Sequence, residues 1–266
     1  MVGLCAPEGY REEAGLRALF APGVPDKQGV LLGLYTFPSP DDIGALSGDY
    51  AAIGVVIVLL IVSLGIHEAA HAWTAWKCGD STAKDLGRLT LNPIAHIDPL
   101  MTIVLPAVLL LSGSPFLFGG AKPVPVVSAY LRKPARDMML VAIAGPLSNL
   151  ILAIFFLLVW KVLVYFEIYE YSSRGMDLLP QIMSASMYFN LILAIFNMLP
   201  IPPLDGSRVM AYFLPQRIRE TYQRFEMFGM LILFFLLYRG MLRGVIIESL
   251  NTLTKLVHFI TGGVWR

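Results

Sequence analysis

The chain has 266 residues, of which 56% are hydrophobic and 15% charged, with a formal net charge of +1. Its mean hydropathy of +0.67 is far above that of a soluble domain and reads as a polytopic membrane protein. The charge balance gives no argument for nucleic acid. Cys5 and Cys78 are too far apart for a metal knuckle and too few for a disulfide framework.

Residues 1–50 hold seven acids, three bases and Pro22, Pro25, Pro38 and Pro40, and read as a soluble N-terminal tail with at most a short helix near Glu12–Phe20. The first thirty residues lack the apolar core run of a cleaved signal peptide. A first membrane helix starts near Ala51 and continues through His67-Glu68-Ala69-Ala70-His71 to about Trp76. Positions i and i+4 share a helix face, so both imidazoles can reach one metal ion. Glu68 lies between them, where a base can take a proton from the attacking water. Three ionisable groups within five residues at membrane depth are costly unless they are paired or ligate something. The rise from Ala51 to His67 is about 24 Å, which puts the motif near the far edge of a ~30 Å hydrocarbon core.

Further along, Gly87–Asp98 has the alternation and turn residues of a strand leading into a loop. Pro99–Gly113 is apolar but short for a span, with Pro106 in its middle, and suits a re-entrant segment. Phe118–Val127 carries glycines, two prolines and β-branched residues, as an extended hairpin or loop would. Met138–Phe166 and Leu179–Leu199 are spans. The apolar Phe228–Tyr238 run is interrupted by Arg239 and Arg243, and Val245–Ile260 is amphipathic, suited to the interface or to closing a hairpin.

Charge sets the expected topology. Segments 74–98, 114–136 and 206–226 carry eleven Lys and Arg, whereas 167–178 has only Arg174 against Glu167, Glu170 and Asp177. The positive-inside rule puts the first three on the cytoplasmic side and the last outside. Residues 99–136 must then enter and leave by one face, and Asp205 arrives at a depth like that of His67.

Two histidines do not complete a catalytic zinc site, which needs a third protein ligand and one open position. Asp205 is the candidate that topology supplies. Its competing role is a helix N-cap ahead of Gly206-Ser207-Arg208. Pro200, Pro202 and Pro203 break the preceding helix and free backbone groups that only a protein-lined or hydrated cavity satisfies at that depth. Other polar groups have plainer readings. Asn149, in Gly145-Pro146-Leu147-Ser148-Asn149, is either a substrate contact or a packing device. His96 reads as a loop histidine bonded to backbone.

The His-Glu-x-x-His at a membrane helix end, followed by Asn197-Met198-Leu199-Pro200-Ile201-Pro202-Pro203-Leu204-Asp205-Gly206, resembles the site-2 protease family of intramembrane zinc metallopeptidases. The likeness covers roughly residues 51 to 215, including the Gly-Arg-Leu-Thr-Leu-Asn-Pro, Ala-Lys-Pro-Val-Pro-Val and Ala-Gly-Pro-Leu-Ser-Asn stretches, and is to the compact bacterial and archaeal members without a PDZ domain. It implies one Zn²⁺ per chain on His67, His71 and Asp205, with Glu68 as general acid/base and Asn197 holding the substrate backbone or oxyanion. Ser207 stands where many members have a second glycine, and the acidic tail has no counterpart.

The expected architecture is an all-α bundle of about four to six membrane helices with a small re-entrant or β-hairpin element. A tail (1–50), a metalloprotease core (51–225) and C-terminal membrane or interfacial helices (226–266) divide it. The expected activity is endoproteolysis of transmembrane segments in a prokaryotic cell membrane, the site facing the cytoplasm. The bilayer and a transmembrane protein substrate are the partners, with no nucleic acid. A structural zinc protein would have no use for Glu68, and a metal transporter would spread its polar sites along a path.

Overall fold

The structure is a computed structural model that describes residues 50–104, 108, 120–165, 178–224 and 226–260. The expected soluble tail, most of the re-entrant segment and the 167–177 loop lie outside these residues. Helix α1 spans Tyr50–Lys77, and a single turn, α2, spans Thr82–Asp85. Helix α3 runs Pro134–Tyr165 and α4 runs Leu178–Asn197. The short α5 (Asp205–Phe213) and α6 (Gln216–Arg224) lead to α7 (Glu226–Tyr238) and α8 (Arg243–Ile260).

Two stretches, Ile57–Lys77 in α1 and Pro134–Leu163 in α3, are long and apolar enough to cross a membrane. The apolar stretches Ala185–Asn197 in α4 and Phe228–Tyr238 in α7 are shorter. Helix α3 is the central element, packed against α4, α1 and α5. Ala153 and Leu157 of α3 meet Met187, Leu191 and Ile195 of α4, with Leu250 of α8 closing the cluster. A second apolar cluster joins Leu199 and Leu204, on either side of the proline-rich break, to Leu233 of α7 and Leu242. It fixes where Asp205 enters α5.

Helix α1 ends in a Schellman motif: the Asp80 N–H donates to the Ala75 carbonyl and the Gly79 N–H to that of Trp76. Gly79 has φ 115°, a conformation that L side chains rarely adopt. The reversal aims Asp80 back at the connection to α3. Lys77 lies over the Trp73 and Trp76 rings, and Lys84 over Trp76, so the polar end of α1 carries a cation–aromatic cluster.

One expectation is corrected, and another is decided between its two alternatives. The strand expected in Gly87–Asp98 is absent: its backbone is satisfied locally, by Thr90 Oγ1 accepting from the Asn92 N–H and Asn92 Oδ1 from the Ile94 N–H. A 3₁₀ turn, Pro93–His96, follows. The 120–127 part of the segment expected as a hairpin or loop is a loop, paired with no strand among the described residues. Pro123 and Pro125 have no N–H to give a ladder. The N–H groups of Lys122, Val124 and Val127 go instead to the His96 carbonyl, Glu68 and Asp80. This stretch is a strap lashed along the last three turns of α1.

Candidate metal centre

Helix periodicity brings His67 and His71 onto the face of α1 that packs on α3, where they are 4% and 8% exposed. Their Nε2 atoms lie 3.0 Å apart. Asp205 Oδ2 sits 3.3 Å from each. These three side chains form a possible metal-holding group. A tetrahedron with zinc–ligand bonds of ~2.0–2.1 Å has edges of about 3.3 Å, which is the spacing of this donor triangle. Asp205 is the first residue of α5, whose cap residue is Leu204; the carboxylate reaches the histidines rather than capping the helix.

Each ring is held from behind by its Nδ1. His71 Nδ1 is 2.7 Å from the Val141 carbonyl of α3. His67 Nδ1 is 2.6 Å from Asn149 Oδ1. A carbonyl acceptor on Nδ1 fixes the N–H there and leaves the Nε2 lone pair for a metal.

Space at the site is provided by Gly145. A Cβ built there would stand 2.4 Å from His71 Nε2 and 2.6 Å from His67 Nε2. The helix backbone is thus held against the donor atoms by a residue with no side chain, and the pocket is one an alanine would fill. Gly206 serves a similar end beside Asp205, since its Cβ would fall 2.2 Å from the Met198 carbonyl oxygen. The donor set, its spacing and this cradle fit one zinc ion.

Glu68, next to His67 on α1, accepts a 2.9 Å hydrogen bond from the Val124 N–H of the strap. Asp80, fully buried, anchors the other end of that strap. It accepts from the Val127 N–H at 2.7 Å and from the Thr82 N–H and hydroxyl. Burial opposes ionisation of Asp80, but these donors outweigh it and hold its carboxyl below the usual carboxylate range.

Asn149, read from sequence as either a substrate contact or a packing device, is fully buried, with its amide bonded to His67 and Asn190. Asn197 ends α4, its Nδ2 donating to the Leu193 carbonyl. No hydrogen bond among the described residues joins it to the histidine–aspartate group. His96 bonds the Thr90 carbonyl through Nε2, the plain role expected of it. Asn190 and Asp80 escaped sequence reading, because neither belongs to a recognisable spacing.

A His-Glu-x-x-His helix, a distant aspartate completing the donor triangle and an adjacent carboxylate define the site of a mononuclear zinc peptidase on a helical scaffold. The sequence profile of Peptidase family M50 matches residues 55–177 and 165–239, and the chain belongs to that family. It is a zinc metalloprotease. It is 44% identical over 179 residues to "Putative zinc metalloprotease YwhC" of Bacillus subtilis, covering 66% of this chain and 77% of that protein. It is 32% identical over 189 residues to "Putative zinc metalloprotease Rip2" of Mycobacterium tuberculosis, covering 70% and 68%. A shorter match, 38% over 104 residues, covers 39% of this chain and 47% of "Putative zinc metalloprotease MJ0611" of Methanocaldococcus jannaschii. No solved structure matches the chain.

Proposed function

We propose that this chain is an intramembrane endopeptidase that cleaves transmembrane segments of other membrane proteins. The carrying observation is a zinc-sized donor triangle between helices apolar enough to lie in a bilayer, with a carboxylate beside it. His67, His71 and Asp205 hold the metal. When bound, zinc supplies Lewis acidity for activating water and polarising the scissile carbonyl.

Glu68 is the general acid/base. Its carboxylate takes the proton of the attacking water and returns it to the nitrogen of the departing amine. The Val124 N–H holds one carboxylate oxygen, Oε2, which leaves Oε1 to do the transfer. The two buried histidines keep their Nδ1 protons and take no part in proton movement. Asn197, at the mouth of the proline-rich break, holds the substrate backbone.

A helical substrate must unwind, because its carbonyl is otherwise shielded by its own helix. The 120–127 strap is the surface for the unwound stretch: Pro123 and Pro125 carry no N–H, so a segment laid there is held through their carbonyls. The basic loops favour a multi-pass arrangement with the site toward the cytoplasm.

The test is cleavage in proteoliposomes of a single-span reporter, with the cut mapped by mass spectrometry. The proposal expects the cut inside the hydrophobic segment. Cuts only in the soluble flanks would contradict it.

A further inference from the structure

Behind His67 lies a polar chain that leaves α1 and returns to it. Asn190 of α4, 1% exposed, donates through Nδ2 to the Ser186 carbonyl at 2.8 Å and to Ser63 Oγ at 3.0 Å. Its Oδ1 accepts from Asn149 Nδ2 at 3.0 Å. Asn149 Oδ1 then faces His67 Nδ1 at 2.6 Å. Ser63 sits one turn before His67 on the same helix face, so three helices are stitched by four side chains.

The direction of this chain is set at one end. A backbone carbonyl can only accept, so the Asn190 atom facing Ser186 must be its nitrogen, and a flipped amide would oppose two oxygens. Asn190 therefore shows its oxygen to Asn149. Asn149 must answer with its nitrogen, which turns its own oxygen to His67. His67 must carry its proton on Nδ1, leaving the Nε2 lone pair toward Asp205 and His71. Unlike His71, which meets a backbone carbonyl directly, His67 depends on an amide that could present either end.

We propose that Asn190 is a positioning residue for the metal site: anchored on the Ser186 carbonyl, it orients Asn149 and through it selects the metal-binding tautomer of His67. This rests on the assignment of His67 as a zinc ligand. Without Asn190, Asn149 is free to turn its nitrogen to His67 Nδ1. The ring then holds its proton on Nε2, where zinc must displace it.

The experiment measures zinc affinity of the full chain in detergent by competition with a chromogenic chelator, alongside thermal unfolding of the zinc-free protein. Asn190→Leu is expected to weaken zinc binding about 10- to 100-fold, the usual cost of losing a group that orients a ligand. Ser63→Ala removes a buried partner of the same network but leaves the Ser186 anchor, so zinc affinity should stay within about twofold. A merely structural network would make both variants follow the loss of thermal stability. If Asn190→Leu gives little folded protein, Asn190→Ala carries the test with the same expectation.

His67→Ala separates the two claims. Zinc lost in His67→Ala but unchanged in folded Asn190→Leu or Asn190→Ala overturns the relay alone. Zinc unchanged in His67→Ala overturns the ligand assignment and the relay with it. Equal weakening in Ser63→Ala and Asn190→Leu also overturns the relay.

Discussion

One turn of α1 presents two faces held in different ways. His67 and His71 look into the bundle, backed by α3 and α4, with rings fixed through Nδ1 by Asn149 and the Val141 carbonyl. Glu68, about 100° round the helix from His67, is bonded instead to a strap of irregular chain that is tied down at single points by Glu68 itself, Asp80 and the His96 carbonyl. Metal ligands need fixed geometry, and the packed helices supply it. A base that must release and regain a proton beside an incoming peptide works at an edge, where the neighbouring chain is held by a few hydrogen bonds. The comparison predicts that damage to the buried face costs metal, whereas damage to the strap side costs turnover or stability with the metal still bound.

The largest expected effects are on the buried face. His67→Ala and Asp205→Ala should each abolish stoichiometric zinc, measured by metal analysis after gel filtration; unchanged stoichiometry in either would remove that residue from the ligand set. Gly145→Ala comes next. The added methyl enters the space of both Nε2 atoms, so zinc affinity should fall about 100-fold, on the scale of a misplaced ligand shell. Chelator competition checks this, and a parental affinity would show that α3 does not bound the site.

On the strap side, Asp80→Ala strands the N–H groups of Val127 and Thr82. It should lower stability by about 2 kcal/mol, within the cost of unsatisfied buried donors, and reduce turnover while zinc stays at one per chain. Denaturant unfolding and metal analysis together test this. The smallest effect is in acid. Because the Asp80 carboxyl is held below its usual range, its contribution is complete above the unfolded value of about 3.9 and fades as pH falls through the lower folded value. Asp80→Asn should therefore flatten the loss of stability below about pH 4; an unchanged acid limb would show that Asp80 is not a titrating clasp.

Much of the metal side was legible in the chain because its information is local. The spacing of His67, Glu68 and His71 needs only helix geometry, and the proline run before Asp205 announces a break at depth. What was not legible depends on partners distant in sequence. Nothing around Asn190 marks it as the group that orients Asn149, since α3 and α4 meet only in the folded bundle. The expected strand at 87–98 failed because Thr90 and Asn92 satisfy nearby backbone and tighten it into turns. Between hairpin and loop at 118–127, the described part is a loop, because two prolines and three committed N–H groups leave no ladder to form.

The division between the two faces meets its most direct test in Glu68→Gln, which keeps the shape of the side chain and the bond from Val124 but removes the base. Zinc content and cleavage of a single-span reporter would be measured on the same preparation in proteoliposomes. The account predicts one zinc per chain and cleavage reduced by at least about 10²–10⁴-fold, the usual worth of a general base. Cleavage persisting at the parental rate with zinc bound would contradict it.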